Sequence, residues 1–177
     1  MTHKLVIFII SLTFLFSCNG HKDGETAANL ARQLSIQKNK LDMVEVETID
    51  AAFKAFQYNV GNLNRCVDSF SIELGNALNY YKGIKKINPI DFKTKHEALN
   101  KKITNQINQI ELLSQDISMG LIPKDSIPIY SIMEKQNVDA VTLEILTHYS
   151  DYMYVKKAND SLDSYFKAII KSACEGV

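Results

Sequence analysis

The sequence predicts an all-α protein, an antiparallel helical bundle built around one long central helix at about residues 48–87. Three observations lead to this prediction. Glycine and proline are scarce, with 7 and 3 copies in 177 residues. Few stretches alternate apolar and polar residues as half-buried strands do, which favours helices over sheets. One long stretch also repeats apolar residues at helical spacing without a gap.

This apolar repeat covers residues 49–84. Steps of three and four residues in turn meet apolar or aromatic side chains at all eleven positions: Ile49, Phe53, Phe56, Val60, Leu63, Val67, Phe70, Leu74, Ala77, Tyr81 and Ile84. Such a repeat is typical of a helix that packs along a seam. Only six of these 36 residues are charged, so we expect neighbouring helices to cover two or three sides. At ~1.5 Å per residue the helix would be roughly 54 Å long.

A first helix is predicted before this repeat. Thr26 can cap this helix. The central repeat does not continue the apolar face of the first helix, so a turn is expected within residues 44–48, and Thr48 can cap the next helix. That earlier face consists of Leu30, Leu34, Leu41 and Val44.

A third helix is predicted after the repeat. Asn88 and Pro89 end the central helix, since proline lacks the backbone N–H and restricts the residue before it. The third helix opens at Asp91 or Thr94 and stops at Gly120. Its apolar positions are Leu99, Ile103, Ile107, Ile110, Leu113 and Ile117.

The last third of the chain is predicted to form a loop and three helical pieces. Residues 121–128 hold two prolines and form the loop, and a short helix follows over residues 128–136. Asn137 or Asp139 caps a fourth long helix. Residues 158–161 interrupt that helix, and a last helix buries Leu162, Phe166, Ile169, Ile170 and Ala173.

The N-terminus has the pattern of a secretory signal peptide at residues 1–17. Lys4 is its one charged residue, an apolar run follows at residues 5–10, and residues 12–16 are apolar except for Thr13. These runs are shorter than the ~20 apolar residues that a membrane-spanning helix needs. We therefore expect an exported protein with a polar, flexible tether at residues 18–25 and one bundle domain at residues 26–177.

The end of this segment resembles the lipobox of bacterial lipoproteins. Leu15 lies three residues before Cys18 and the small residue Ser17 lies directly before it, although Phe16 is larger than is usual at its position. The resemblance implies that Cys18 receives a diacylglyceryl group and, after cleavage, becomes an acylated N-terminus. The expected location is the cell envelope, anchored to the outer membrane on its periplasmic side or at the cell surface.

The charge balance argues against several kinds of partner. Without residues 1–17 the chain loses Lys4 and keeps 19 basic and 20 acidic residues, a net charge of −1. With no basic cluster, nucleic acid is not expected as a partner. No phosphate-binding loop or catalytic motif is evident either, so we expect no enzyme activity, no cofactor and no small-molecule substrate.

Once Cys18 carries lipid, the remaining cysteines are Cys66 and Cys174. An even pair outside the cytoplasm is a candidate disulfide. If the chain reverses near Asn159, the last helix brings Cys174 to the level of Cys66. If the fourth helix continues, we expect the two thiols to stay apart.

Three further groups of residues are candidates for function. Glu144, His148 and Asp151 share a helical face and are a possible metal site, against the simpler interpretation of a solvated face with a structural histidine. The tyrosines of the last third could form a contact surface, or they could pack in the core: Tyr149, Tyr152, Tyr154 and Tyr165. The same two interpretations apply to a stripe of small, uncharged residues spaced seven apart: Ala55, Asn62, Ser69, Asn76 and Gly83.

These patterns favour a non-enzymatic interaction or scaffold lipoprotein that holds protein partners near the membrane. It is similar, in size and class alone, to the small lipoprotein subunits of type VI secretion membrane complexes. The alternative is an immunity or inhibitor lipoprotein that blocks a toxin or enzyme in the periplasm through the tyrosine-rich region.

Overall fold

The computed structural model describes the backbone of residues 19–174 and the side chains of residues 26–174. Within this part the chain is helical and has no strand, which confirms the all-α prediction. The predicted signal peptide and Cys18 lie outside the described residues. The helices are α1 (Asn19–Asp42), α2 (Val46–Cys66), α3 (Ile72–Tyr81), α4 (Pro89–Ser118) and α5 (Ile127–Cys174), with 3-10 turns at Lys82–Lys86 and Lys124–Ser126.

The first helix starts earlier than predicted. α1 begins at Asn19, so the prediction of a flexible tether is wrong for residues 19–25, which are helical. Ala27 and Leu30 are buried in the following turns, and a helix that is already nucleated extends at little cost per residue. The break before α2 falls at residues 43–45, which overlap the predicted range 44–48, and Glu45 is at the N-cap where Thr48 was expected.

The prediction of one continuous central helix at residues 48–87 is wrong. α2 ends at Cys66, residues 67–71 are not helical, and α3 with the turn Lys82–Lys86 covers the remainder. The break contains Asp68, Ser69 and Ser71, whose side chains compete with the helical hydrogen bonds. Ser71 Oγ accepts a hydrogen bond from the backbone N–H of Leu74 at 3.1 Å, which starts α3 as an N-cap.

The apolar repeat is buried on both sides of this break. Leu63 in α2 and Tyr81 at the end of α3 are fully buried. Phe70, which lies within the break, is 42% exposed. The periodicity therefore identified the core residues of α2 and α3 but not the change of direction between them.

The predicted third helix is α4, and its bounds are close to those expected. Asn88 Oδ1 accepts hydrogen bonds from the backbone N–H groups of Ile90 at 2.9 Å and Asp91 at 3.3 Å, so the helix begins at Pro89 rather than at Asp91. Gly120 has a φ of 69° just past the helix end, which confirms its role as the stop.

The prediction of three helical pieces in the last third of the chain is wrong, because α5 is one helix of 48 residues. The polar residues expected to interrupt it have other partners. Asn159 Oδ1 accepts a hydrogen bond from the Tyr81 hydroxyl at 3.3 Å, and Asp160 pairs with Lys156 one turn earlier at 3.5 Å. Neither side chain therefore acts as a cap, and the buried Ala158 continues the core face.

The described chain divides into two compact units, although the sequence predicted one bundle domain. The first unit contains the described residues up to Lys38 together with Lys101–Leu143. The second contains Asn39–Asn100 and the described chain from Glu144 onward. α1, α4 and α5 each contribute residues to both units.

The second unit has an aromatic core around Tyr81. The Tyr81 ring lies 5.4 Å from Phe56 and 4.9 Å from Phe166, measured between ring centroids. Its hydroxyl accepts a hydrogen bond from Asn59 Nδ2 at 3.3 Å, and the same amide donates to Asp163 Oδ1 at 2.8 Å. Burial, opposed by the hydrogen bond from Asn59, raises the pKa of Tyr81. These bonds fix the register of α2, α3 and α5.

Candidate binding site between α4 and α5

The first unit contains a helical hairpin formed by the end of α4 and the start of α5. The backbone N–H of Leu121 donates to the carbonyl of Asp116 at 2.9 Å, and that of Gly120 donates to Ile117 at 3.1 Å. This pair of bonds is a Schellman motif, which needs the positive φ of Gly120. The short connection makes the two helices antiparallel.

A cavity of about 690 Å³ lies in this hairpin. We call it the hairpin cleft. α4 lines one side of it, the connecting turn closes one end, and α5 lines the other side. The lining residues are Asn105, Asn108, Gln109, Leu112, Leu113, Asp116, Leu121, Ile122, Pro123, Tyr130 and Glu134.

One buried carboxylate lies at the wall of the hairpin cleft. Glu134 is only 7% exposed, and its two oxygens accept hydrogen bonds from Gln106 Nε2 at 2.5 Å and Gln109 Nε2 at 2.6 Å. Asp116, half-buried, is the second acidic lining residue, and none of the described lining residues is basic. The cleft therefore combines apolar side chains with the amides Asn105, Asn108 and Gln109 and two carboxylates.

Large apolar side chains of the hairpin are exposed, and three of them, Leu112, Leu121 and Tyr130, line the cleft. Those of residues 112–133 that are at least 45% exposed are Leu112, Met119, Leu121, Ile129, Tyr130, Ile132 and Met133. Single exposed apolar residues are ordinary, but a concentration of them around a concave site is typical of a binding surface. The arrangement can bury a partner; it holds no evident nucleophile or acid–base pair.

A second, smaller cavity of about 180 Å³ lies beside His148 in the second unit. His148 is fully buried, and its ring stacks on Phe92 with centroids 3.9 Å apart. Asn100 Nδ2 donates to the carbonyl of His96 and to its Nε2, so Nδ1 of His96 carries the proton and donates to His148 Nε2 at 3.3 Å. Burial, then His96 and Lys95, lower the pKa of His148 from 6.5 to about 4.

The structure does not assemble the candidate metal site of Glu144, His148 and Asp151. No group of three His, Cys, Asp or Glu residues in the described part of the chain is placed to hold a metal ion. His148 turns to Phe92 and His96 instead, because burying its ring against α4 removes apolar surface from water.

Of the tyrosines considered as a contact surface, one is in the core of the second unit and three are partly buried against it. Tyr152 is 4% exposed, and Tyr149, Tyr154 and Tyr165 pack against the same core. The Tyr154 hydroxyl donates to the backbone carbonyl of Tyr80. Core packing, the alternative interpretation of these tyrosines, therefore accounts for Tyr152 fully and for the other three in part.

The predicted stripe of small residues does not form one face, because the break after α2 separates Asn62 from Asn76. Asn62 Nδ2 donates to the carbonyl of Tyr58 on its own helix at 2.8 Å, and Asn76 is exposed on α3. Gly83 alone permits a close approach, because a Cβ built there would lie 1.9 Å from the Tyr154 hydroxyl oxygen.

Cys66 and Cys174 are placed as a disulfide pair, with Sγ atoms 2.04 Å apart and Cα atoms 5.3 Å apart. The expected chain reversal near Asn159 is not needed for this pairing, and the expectation that a continuous helix separates the thiols is wrong. α2 and the last part of α5 run in the same direction, because Asn59 contacts Asp163 and, further along both helices, Cys66 lies beside Cys174.

The residues of the hairpin cleft were not singled out from the sequence. One sign was available: Glu134 occupies a position of α5 whose neighbours on the same face, Ile127, Val138 and Val141, are all buried and apolar. A lone acidic residue on an apolar face needs a partner. No protein-family model, curated protein or solved structure matches this chain. Among the described helices, none is both long and apolar enough to cross a membrane.

Proposed function

We propose that this chain is a lipid-anchored envelope protein that holds a protein partner at the membrane through the hairpin cleft, without catalysis. The observation that carries the proposal is the concentration of exposed apolar side chains around that cleft. Leu112, Leu121 and Tyr130 line it and are 61, 66 and 45% exposed. Burying each of them against a partner would contribute on the order of 1 kcal/mol or more.

The anchor in this proposal is Cys18. Its support is the lipobox resemblance at Leu15, Ser17 and Cys18, in a segment with the pattern of a secretory signal peptide. Acyl chains of this kind hold a domain at a membrane through the burial of their methylene groups. The proposed location is the outer membrane, on its periplasmic side or at the cell surface.

A scaffold role is favoured over the alternative of an immunity or inhibitor lipoprotein. That alternative relied on an aromatic patch formed by the C-terminal tyrosines, and these side chains pack in or against the core. The narrower form of the proposal, a subunit of an envelope-spanning assembly like that of type VI secretion, remains an analogy of size and helical class.

The test compares two variants in which an exposed apolar residue is changed to arginine. Leu121→Arg places a positive charge in the hairpin cleft, and Ile72→Arg places one at an 86% exposed position of α3. On native gels of detergent-solubilised envelopes, the wild-type chain and Ile72→Arg should migrate in a complex larger than the chain alone. Leu121→Arg should migrate as the free chain. If Leu121→Arg keeps the larger complex, the hairpin cleft is not the binding site.

A further inference from the structure

We infer that the hairpin cleft receives a basic side chain, Lys or Arg, from a partner polypeptide whose flanking residues are apolar. This inference rests on the proposed function, since it names the chemistry of the partner. Three features of the cleft carry it: a buried carboxylate that only neutral groups contact within the described residues, lining leucine and proline side chains that suit an alkyl stem, and exposed apolar side chains next to the cavity.

No cation of the described residues accompanies the buried carboxylate. All hydrogen bonds to Glu134 within the described residues come from the amides of Gln106 and Gln109, and it takes part in no ion pair there. Amides satisfy its oxygen atoms but do not compensate its charge. A buried charge is unfavourable unless an opposite charge accompanies it. A cation bound in the cleft that Glu134 lines would supply that opposite charge.

The walls of the hairpin cleft suit the rest of a basic side chain. Lys and Arg bury their methylene stems against apolar surface and keep only the head group in a polar environment. Leu112, Leu121 and Pro123 can contact such a stem, and the ring of Tyr130 can face a guanidinium or ammonium group. Asp116 supplies a second negative charge in the same cavity.

The rim argues for a polypeptide over a small organic cation. Met119 and Met133 each follow a lining residue, Asp116 and Tyr130, by three positions, which makes them neighbours on the helix surface, and both are 53% exposed without lining the cavity. A small amine would reach the carboxylates but leave these side chains in water. Apolar residues on either side of a basic residue would cover them.

The first experiment selects phage-displayed random decapeptides on the full chain purified in detergent. The inference expects enrichment of sequences with a central Lys or Arg between apolar residues. Enrichment of neutral or acidic sequences that Leu121→Arg abolishes would overturn the inference and leave the proposed function standing. Recovery of no peptide would count against both.

The second experiment measures the affinity of the selected peptide for matched variants. Glu134→Gln should weaken binding by roughly 30-fold or more, and Asp116→Asn should weaken it in the same direction. Glu111→Gln is the control, because Glu111 is exposed on α4, the helix that carries Asp116, and does not line the cavity. Equal affinity for the wild type and both cleft variants would overturn the inference.

Two further measurements separate binding from a structural role. Without peptide, the melting temperature of Glu134→Gln should equal or exceed that of the wild type, because the variant removes an uncompensated buried charge. A lower melting temperature would make Glu134 a structural residue and contradict the inference. Butylguanidinium should compete only at concentrations far above that of the peptide; equal competition would identify a small-cation site instead.

Discussion

His148 shows how a single residue can make the stability of the second unit depend on pH. It is fully buried against Phe92, and its Nδ1 has no hydrogen-bond partner within the described structure. The charged and titratable groups around it are Lys86, Asp91, Lys95 and His96 on the packed elements and Asp151 on its own helix. Burial comes first among the causes that lower its pKa to about 4.

The expected result is a loss of stability in acid. The unfolded chain protonates His148 near pH 6.5, whereas the folded chain keeps it neutral down to about pH 4. Between these values the unfolded state binds more protons, so the free energy of unfolding falls as the pH falls, by up to about 3 kcal/mol from this group.

Urea unfolding at pH 7 and pH 4.5 measures this effect, with His148→Gln as the matched variant. At pH 7 the variant should be less stable than the wild type, because glutamine has no ring to stack on Phe92. Between pH 7 and pH 4.5, however, it should lose less free energy of unfolding than the wild type. The same loss in both proteins would show that other groups cause the pH dependence.

Individual polar residues were the hardest to interpret from sequence. Asn159 has the composition of a helix cap, yet it accepts a hydrogen bond from Tyr81, which is 78 residues away in the chain. Glu134 is likewise satisfied by two amides of α4. The same side-chain oxygen can cap a helix or accept a hydrogen bond from a distant residue, so the sequence alone does not show which of the two roles it has.

At the scale of elements, periodicity predicted the faces of the helices better than their ends. The buried residues of α4 follow the expected spacing, and both its capping residue Asn88 and its stop Gly120 are local signals. The break at residues 67–71 was missed because its apolar residues keep the helical period. The polar residues between them favour turns and were the one indication of a break.

Alanine substitutions test where the apolar repeat is buried. Leu63→Ala should lower the free energy of unfolding by ~2–5 kcal/mol, because Leu63 is fully buried. Phe70→Ala should lower it by less than about 1 kcal/mol, since Phe70 is 42% exposed in the break between α2 and α3. Denaturant unfolding measures both. Equal losses would favour the continuous central helix that the structure lacks.

The pairing of Cys66 with Cys174 ties the ends of α2 and α5. The two residues are 108 apart in sequence, and a closed loop of this size is expected to stabilise the fold by up to ~4–5 kcal/mol in the chain-entropy model. Reduction should therefore lower the melting temperature and loosen the last turns of α5 first.

Mass spectrometry of the exported protein under non-reducing conditions provides the direct evidence for this bond. A single peptide pair should contain both cysteines, and Cys66→Ala and Cys174→Ala should destabilise the protein by similar amounts. Two free thiols in the natively exported chain would contradict the bond.

At the scale of the whole molecule, composition predicted the helical class, but the division into two units was not foreseen. The first unit is formed by segments from different parts of the chain, the described residues up to Lys38 and Lys101–Leu143. A long helix such as α5 can change its packing partners along its length without any helix-breaking residue at the point of change. The hairpin cleft was not predicted either, because it is formed by side chains from two helices that only the tertiary fold brings together.

The membrane anchor also belongs to this scale. Cys18→Ser should move the chain from the membrane fraction to the soluble fraction, because it removes the acyl chains that the proposal treats as the main anchor. Membrane fractionation with a high-salt wash measures the change, with wild-type chain as the reference. A variant that still pellets after the wash would contradict anchoring through Cys18.

Site-specific photo-crosslinking in living cells tests the central claim, that the hairpin cleft binds a protein partner in the envelope. A photoreactive benzoylphenylalanine is placed at Leu121 in the cleft, and at Ile72 as an exposed control outside it. The account predicts one discrete protein adduct from Leu121, weakened by Glu134→Gln, and no such adduct from Ile72. No adduct from Leu121, or the same adducts from both positions, would contradict it.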